Sequence, residues 1–197
     1  MSKQATTNIL IVGVGGQGTL LTSRVIARVV VELGHDVKVS EVHGMAQRGG
    51  SVVSQVRFGP RVYSPIIKEG DADVILAFEK LEAARWLHYL KPDGTLIIND
   101  ERVDPLPVMS GEAEYPEDID QELVSIVPRS TVVNATEIAA ECGSSRAANI
   151  VLVGVLSRAM DLEPALVEQA IREMLPERVL DINLKAFQRG RELYDTL

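Results

Sequence analysis

Three glycines near the start of the sequence have the spacing of a turn that binds anions. Gly13, Gly15 and Gly18 form a G-x-G-x-x-G pattern directly after the apolar residues 9–12. In such a turn the first glycine permits a tight bend, the second admits a close ligand, and the third lets a helix pack on the strand. The N–H groups at the helix N-terminus then attract a phosphate. The pattern indicates either a nucleotide-binding turn or a tight strand-to-helix corner that packs against protein.

A dinucleotide-binding turn is completed by an acid at the end of the second strand, where the carboxylate binds ribose hydroxyls. The candidate is Glu41, which follows Gly18 at close to the motif's spacing of about 20 residues. Val42 and His43 come after it before the chain turns, so the register of Glu41 stays open. The sequence therefore leaves both interpretations of the glycine turn standing.

A second polar loop, "HGMAQRGGS" at residues 43–51, carries further anion-binding chemistry. Gln47 and Arg48 precede the adjacent pair Gly49 and Gly50. Exposed N–H groups beside a guanidinium fork can hold a phosphate or a carboxylate. The alternative is an ordinary turn whose arginine caps a neighbouring helix. We take Arg48 as the candidate anion contact.

The residue types give little support for other kinds of catalytic or metal site. Cys142 is the only cysteine, so neither an intrachain disulfide nor a cysteine-held iron–sulfur cluster can form. The three histidines are scattered, and we expect no catalytic residue and no metal site. The net charge of −8 disfavours nucleic-acid and membrane partners. A cytoplasmic location fits this cysteine usage best.

The elements that must position these residues alternate between strands and helices. Branched apolar strands and few aromatics are typical of a parallel sheet covered by helices. We predict an α/β fold, an open, mostly parallel Rossmann-like sheet flanked by helices with a helical carboxyl-terminal portion. The first two strands should form a parallel pair through a right-handed crossover. The predicted strands are 8–12, 36–42, 52–58, 61–64, 73–78, 95–99 and 130–134, and the predicted helices are 17–33, 79–90, 135–142, 146–160, 164–175 and 184–193.

Two stretches interrupt this alternation. Residues 91–94, "KPDG", are expected to form a turn. The segment from Asp100 to Glu122 contains "EAEYPEDIDQE", with six acids and no base. Such a run is typical of a solvated loop, and the alternative is a docking segment.

Several sequence blocks, taken in their order along the chain, together resemble a known family. "GVGGQGTLL", "SEVHGMAQRGGSVVSQVRFG", "SPII..GDADVILAFE" and "AANIVLVG" are similar to the gamma domain of 2-oxoacid:ferredoxin oxidoreductases. The "VSEVHGMAQRGG" form is most similar to the beta subunit of the indolepyruvate branch. The resemblance spans nearly the whole chain, and residues 1–197 are expected to form a single domain of this gamma type.

The resemblance implies a subunit of a two-subunit enzyme. That enzyme converts arylpyruvates and coenzyme A to arylacetyl-CoA and carbon dioxide, and it passes two electrons to ferredoxin. Thiamine diphosphate and the 4Fe–4S clusters would lie on the alpha subunit, which would also meet ferredoxin. This chain would bind neither cofactor alone and would be active only with that partner.

The candidate residues for contact with coenzyme A or the partner come from both glycine-rich segments. They are Gly13, Gly15, Gly16, Gln17, Gly18, Gln47, Arg48, Gly49 and Gly50. Two other functions stay open. One is a stand-alone NAD(P)- or FAD-binding Rossmann oxidoreductase, and the other is a non-catalytic nucleotide-binding assembly module.

Overall fold

The fold is built on one six-stranded sheet. The computed structural model describes residues 6–44 and 50–195. Within these ranges the strands stand in the order β2-β3-β1-β4-β5-β6. The strands are β1 (Thr7–Val14), β2 (Asp36–His43), β3 (Ser51–Gly59), β4 (Ala72–Ala77), β5 (Leu90–Asn99) and β6 (Ser130–Val133).

Strand direction in this sheet is parallel except at β3. The pairs β1–β4, β4–β5 and β5–β6 are parallel, whereas β3 is antiparallel to both of its neighbours, β1 and β2. The prediction that β1 and β2 pair with each other is therefore wrong. They point the same way, but β3 pairs antiparallel with each of them and lies between them.

Helices cover both faces of the sheet, and the carboxyl-terminal portion is helical. The mostly parallel sheet, its helical flanks and the helical end confirm the predicted fold class. The predicted division into one domain stays a prediction. The helices are α1 (Thr19–Glu32), α2 (Lys80–Trp86), α3 (Leu106–Met109), α4 (Ile119–Ile126), α5 (Ala135–Glu141), α6 (Ala148–Ala159), α7 (Pro164–Met174) and α8 (Glu177–Tyr194), with 3₁₀ turns at Leu87–Tyr89 and Ser145–Ala147.

Alternating strand residues divide the core into two clusters. Ile9 and Ile11 of β1 face α1, α6, α7 and α8, while Leu10 and Val12 face α2, α4 and the 60–71 loop. Successive side chains point to opposite faces of a strand, so a sheet covered on both sides needs apolar residues at every position. This accounts for the unbroken apolar run in β1, whose central residues are all buried.

Two predicted local features are wrong. Residues 61–64 form no strand, because the backbone of this loop bonds to side chains instead: the Val62 N–H donates to Asp36 and the Ile67 N–H to Gln55. The predicted turn at 91–94 lies inside β5, where it produces a shift in register. Leu90 pairs with Ala72, and the regular ladder resumes only five residues later.

The segment 100–122 is more ordered than a solvated loop. Tyr115 and Ile119 are buried, α3 lies within the segment, and α4 begins in its second half. Most of its acids stay exposed, and only Glu101, Asp104 and Asp120 are half-buried, so the prediction holds for most of the charges and fails for the backbone. The last helix also begins earlier than predicted, at Glu177.

Helices α6 and α8 cross with almost no space between their backbones. A Cβ atom built on Gly154 would lie 2.3 Å from the Phe187 carbonyl oxygen, and one on Gly190 would lie 2.1 Å from the Val151 carbonyl oxygen. Both obstacles are backbone atoms, which cannot move aside as a flexible side chain would. Glycine is therefore required at both positions for α8 to pack on α6, whose residues 149–157 are all buried.

We expect Gly154→Ala to destabilise the chain by about 3 kcal/mol or more, because the methyl group must separate two packed backbones. The thermal midpoint should fall by about 6–12 °C. Gly44→Ala is the matched control, since among the described residues an added Cβ there meets no atom closer than 3.7 Å and the backbone conformation is ordinary. Equal thermal midpoints for the two variants, measured by circular dichroism, would contradict this account of the crossing.

Candidate functional site at the carboxyl edge of the sheet

The glycine turn occupies the carboxyl end of β1. Gly16 and Gly18 have φ angles of 106° and 91°, a region that side-chain-bearing residues rarely adopt. A Cβ on Gly13 would lie 2.8 Å from the Cβ of Phe78, and one on Gly18 would lie 2.7 Å from Nδ2 of Asn149. Contacts within the protein thus explain Gly13 and Gly18, whereas Gly16 is exposed and a Cβ there would have no atom of the described residues within 4 Å.

Gln17 holds the turn against the neighbouring strand. The Val14 N–H donates to Gln17 Oε1 (2.7 Å), and Gln17 Nε2 donates to the Phe78 carbonyl oxygen (3.1 Å). Both ends of the amide are engaged, so this predicted site residue fixes the shape of the turn. It fastens the end of β1 to the end of β4.

The structure brings the two predicted glycine-rich segments together. The Gly15 N–H donates to the Gly50 carbonyl oxygen at 2.9 Å. The Gly44 N–H donates to the Ser51 carbonyl oxygen at 3.2 Å, which joins the two ends of the second segment. Gln47, Arg48 and Gly49 lie outside the described residues.

A buried carboxylate that the sequence analysis missed lies beneath this junction. The Ser51 hydroxyl donates to Glu82, which is 3% exposed and also forms an ion pair with Arg85 at 2.9 Å. Burying a carboxylate is costly unless hydrogen bonds and an opposite charge accompany it. Glu82 sits in an otherwise ordinary amphipathic helix, so only the fold shows that it supports the start of β3.

A crevice of about 410 Å³ opens beside the turn. The helix that follows β1, α1, packs on one face of the sheet, and the helix that follows β4, α2, packs on the opposite face. Ligands of open α/β sheets bind outside the carboxyl ends of strands at such a point of divergence. The crevice is lined by Gly16, Gln17, Phe78, Asn99, Glu101, Thr136, Ser145, Arg146 and Ala148.

Some polar groups of the crevice already have hydrogen-bond partners within the part of the chain that the structure describes, and others do not. The buried Asn99 amide donates to Phe78 and Glu101 and accepts from the Ala135 N–H. Thr136 also donates to Glu101. The exposed guanidinium of Arg146, by contrast, has no ion-pair partner within residues 6–44 and 50–195. This arrangement offers one free cation beside the exposed Gly16 and the N-terminus of α1, where a helix favours an anion.

Glu41 lies too far from the turn to complete a dinucleotide site. It is on β2, which β3 separates from β1, so about two strand spacings of roughly 4.8 Å intervene. Its carboxylate accepts from Ser54 Oγ at 2.9 Å and lies 2.7 Å from His43 Nε2. The interpretation of Glu41 as a ribose-binding acid is wrong, because the inserted β3 displaces its strand.

Another buried carboxylate ties the 100–122 segment to this edge. Glu79 is 1% exposed, caps α2 through the Glu82 N–H (2.9 Å) and accepts from the Tyr115 hydroxyl and the Val103 N–H. Burial, together with the hydrogen bond to Glu79, raises the pKa of Tyr115 above its ordinary value. Tyr115 therefore remains a protonated donor at neutral pH.

Among the described residues, no group of three or more His, Cys, Asp or Glu side chains is placed to hold a metal ion. Over the same part of the chain, no helix has the length and apolar character needed to cross a membrane.

Comparison with known proteins gives matches over nearly the whole of this chain. An indolepyruvate oxidoreductase subunit IorB from Archaeoglobus fulgidus is 46% identical over 189 residues, covering 93% of this chain and 92% of that protein. A keto/oxoacid ferredoxin oxidoreductase gamma subunit from Geobacter sulfurreducens has the same fold, with a TM-score of 0.73 and 24% identity over 97% of this chain and 99% of the other. A chain of the Magnetococcus marinus 2-oxoglutarate:ferredoxin oxidoreductase contains the fold as 32% of its length, with a TM-score of 0.76, 24% identity and all of this chain covered.

The family itself is shown by a match over nearly the whole chain. The family model described as pyruvate ferredoxin/flavodoxin oxidoreductase covers residues 8–193, which include all but the first residue of β1 and the last residue of α8. The chain belongs to the pyruvate ferredoxin/flavodoxin oxidoreductase family.

Proposed function

We propose that this chain is the smaller subunit of an indolepyruvate:ferredoxin oxidoreductase. The observation that carries the proposal is the 46% identity to an IorB subunit over 93% of one chain and 92% of the other. The reaction would convert an arylpyruvate, coenzyme A and two oxidised ferredoxins to arylacetyl-CoA, carbon dioxide, a proton and two reduced ferredoxins.

The cysteine count supports a division of labour between two subunits. A 4Fe–4S cluster held by cysteines needs four thiolates, and this sequence has only Cys142. In the proposed enzyme the partner would carry the iron–sulfur clusters and thiamine diphosphate, which supplies the carbanion chemistry of decarboxylation. The smaller subunit would complete the site at which substrates bind.

The carboxyl-edge crevice is the place where we expect that contribution. The Gly13–Gly18 turn and the Gln47–Gly50 segment meet through Gly15 and Gly50, beside a lining that includes Arg146. Coenzyme A and 2-oxoacids are both anions, and exposed N–H groups with a guanidinium match phosphate or carboxylate oxygens. We assign Arg48 to the anion contact on the residue types of its segment.

The stand-alone dinucleotide enzyme and the nucleotide-binding assembly module have less support. Both need a nucleotide at the glycine turn, and the position of Glu41 removes the expected ribose contact. Packing against Phe78 and Asn149 already accounts for two of the three motif glycines.

Reconstitution tests the proposal directly. The purified chain and the cofactor-bearing subunit should each fail to oxidise indolepyruvate, and the mixture should reduce ferredoxin in a reaction that requires coenzyme A. Cys142→Ser is the matched control, because it should leave the iron content and activity of the complex unchanged. Indolepyruvate oxidation by the unaccompanied chain, or no gain on mixing, would overturn the assignment.

Arg48→Ala tests the anion contact. Loss of a charged hydrogen-bonding group should raise the KM for coenzyme A or for the 2-oxoacid about tenfold or more, since such bonds contribute about 1.5–3 kcal/mol. Arg172→Ala, at an exposed position of α7, is the control and should not change either KM. Unchanged kinetics of the reconstituted Arg48→Ala enzyme would remove this residue from the site.

Ferredoxin is expected to bind the partner rather than this subunit. Ferredoxins are generally acidic, and this chain has a net charge of −8, so like charges oppose their approach. Crosslinking of ferredoxin to the assembled enzyme should label the cofactor-bearing subunit. Crosslinks found mainly in residues 100–122 would show the reverse.

A further inference from the structure

Helix α3 presents two large apolar side chains to solvent. Leu106 is 73% exposed and Met109 is 68% exposed, although both lie within a single turn. Pro105 and Pro107 flank Leu106, and their fixed φ angles restrict the backbone on either side. Single exposed apolar residues are common on protein surfaces, but an adjacent pair on a stiff turn is typical of a binding surface.

The segment that carries this pair is fastened at several points. Buried Glu79 accepts from the Val103 N–H at 3.3 Å and from the Tyr115 hydroxyl, on opposite sides of α3 in the chain. The Arg102 guanidinium lies over the Tyr115 ring, 4.4 Å from its centroid. These contacts order the segment before any partner arrives, which lowers the entropic cost of binding.

The chain turns back immediately after α3. The N–H groups of Glu112 and Ala113 both donate to the Pro107 carbonyl oxygen, at 2.8 and 3.0 Å. This fold-back brings the start of the acidic stretch, residues 112–118, next to Pro107, which lies between the two apolar residues in the chain. The exposed acids of the stretch are Glu112, Glu114, Glu117 and Asp118.

We propose that residues 102–118 form a docking platform for the cofactor-bearing partner subunit. Leu106 and Met109 enter an apolar pocket of that partner, and the acidic stretch meets basic residues around the pocket. This inference rests on the proposed function, which requires such a partner. The proposal gives the acidic segment a role in subunit assembly, whereas its charge alone is equally typical of a solvated loop.

The position of the platform favours this occupant. Residues 100–105 leave the carboxyl end of β5, where Glu101 lines the crevice and its carbonyl oxygen accepts from the Lys80 N–H at 3.1 Å. Leu106 follows Glu101 by five residues, so the two lie within about 18 Å of each other, which is inside the reach of a standard interface of roughly 800 Å² per partner. A second copy of this chain would bring its own acidic stretch against this one, and an acidic ferredoxin would meet the same repulsion.

The decisive experiment measures binding of the full chain to the purified cofactor-bearing subunit. Leu106→Ser combined with Met109→Ser should weaken the Kd about 30-fold or more, because buried anchor residues dominate interface affinity. Val124→Ser combined with Ile126→Ser is the matched control, since these residues of α4 are 45% and 65% exposed. The control should change the Kd less than twofold. Thermal midpoints of both double variants should equal that of the unaltered chain.

A second pair of variants tests the electrostatic part. Glu114→Lys combined with Glu117→Lys should slow association about tenfold at low salt and reduce its dependence on ionic strength. The proposal is overturned if the Leu106/Met109 variant binds the partner as tightly as the unaltered chain does. It is also overturned if that variant loses self-association or ferredoxin binding while partner binding is retained.

The outcomes separate the platform from the proposed reaction. If the assembled pair binds through Leu106 and Met109 but oxidises no arylpyruvate, the proposed function fails and the platform stands. If the pair is active and the double variant keeps full affinity, the proposed function stands and the platform fails.

Discussion

Strand β3 pairs antiparallel with both β1 and β2, and the chemistry of the carboxyl edge depends on this pairing. It places the Gly50 carbonyl oxygen 2.9 Å from the Gly15 amide, so the two glycine-rich segments share one junction. It also moves β2 outward by one strand, which takes Glu41 away from the turn. The same insertion therefore creates a contact between two loops and removes the acid that a dinucleotide site requires.

Buried carboxylates join separate segments of this edge through side-chain hydrogen bonds. Glu79 joins the cap of α2 to residues 103 and 115, and Glu82 joins α2 to the start of β3. Each carboxylate accepts more than one hydrogen bond, and these bonds replace the water that its oxygens lose on burial. Loops fixed in this way can display side chains to a partner with little loss of freedom on binding.

Sequence patterns predicted the elements with strong periodicity and missed those that depend on tertiary contacts. The apolar run of β1, the glycine turn and most helices followed from local residue types. The position of β3 did not, because strand order depends on which neighbours bury the most surface. The backbone of 100–122 was mispredicted because the two residues that order it, Tyr115 and Ile119, are outnumbered by exposed acids. Glu82 and Arg146 gave no local signal, since a helix surface and a loop commonly carry such charges.

The contact between α6 and α8 also limits how the chain can reach its final state. Helix α8 follows all six strands in chain order, yet its backbone fills the space against Gly154 in the middle of α6. During synthesis on the ribosome, the sheet and α6 are complete before that covering surface has been translated. Every nascent chain that stops short of α8 therefore exposes an apolar face of its most buried helix, a face to which chaperones can bind.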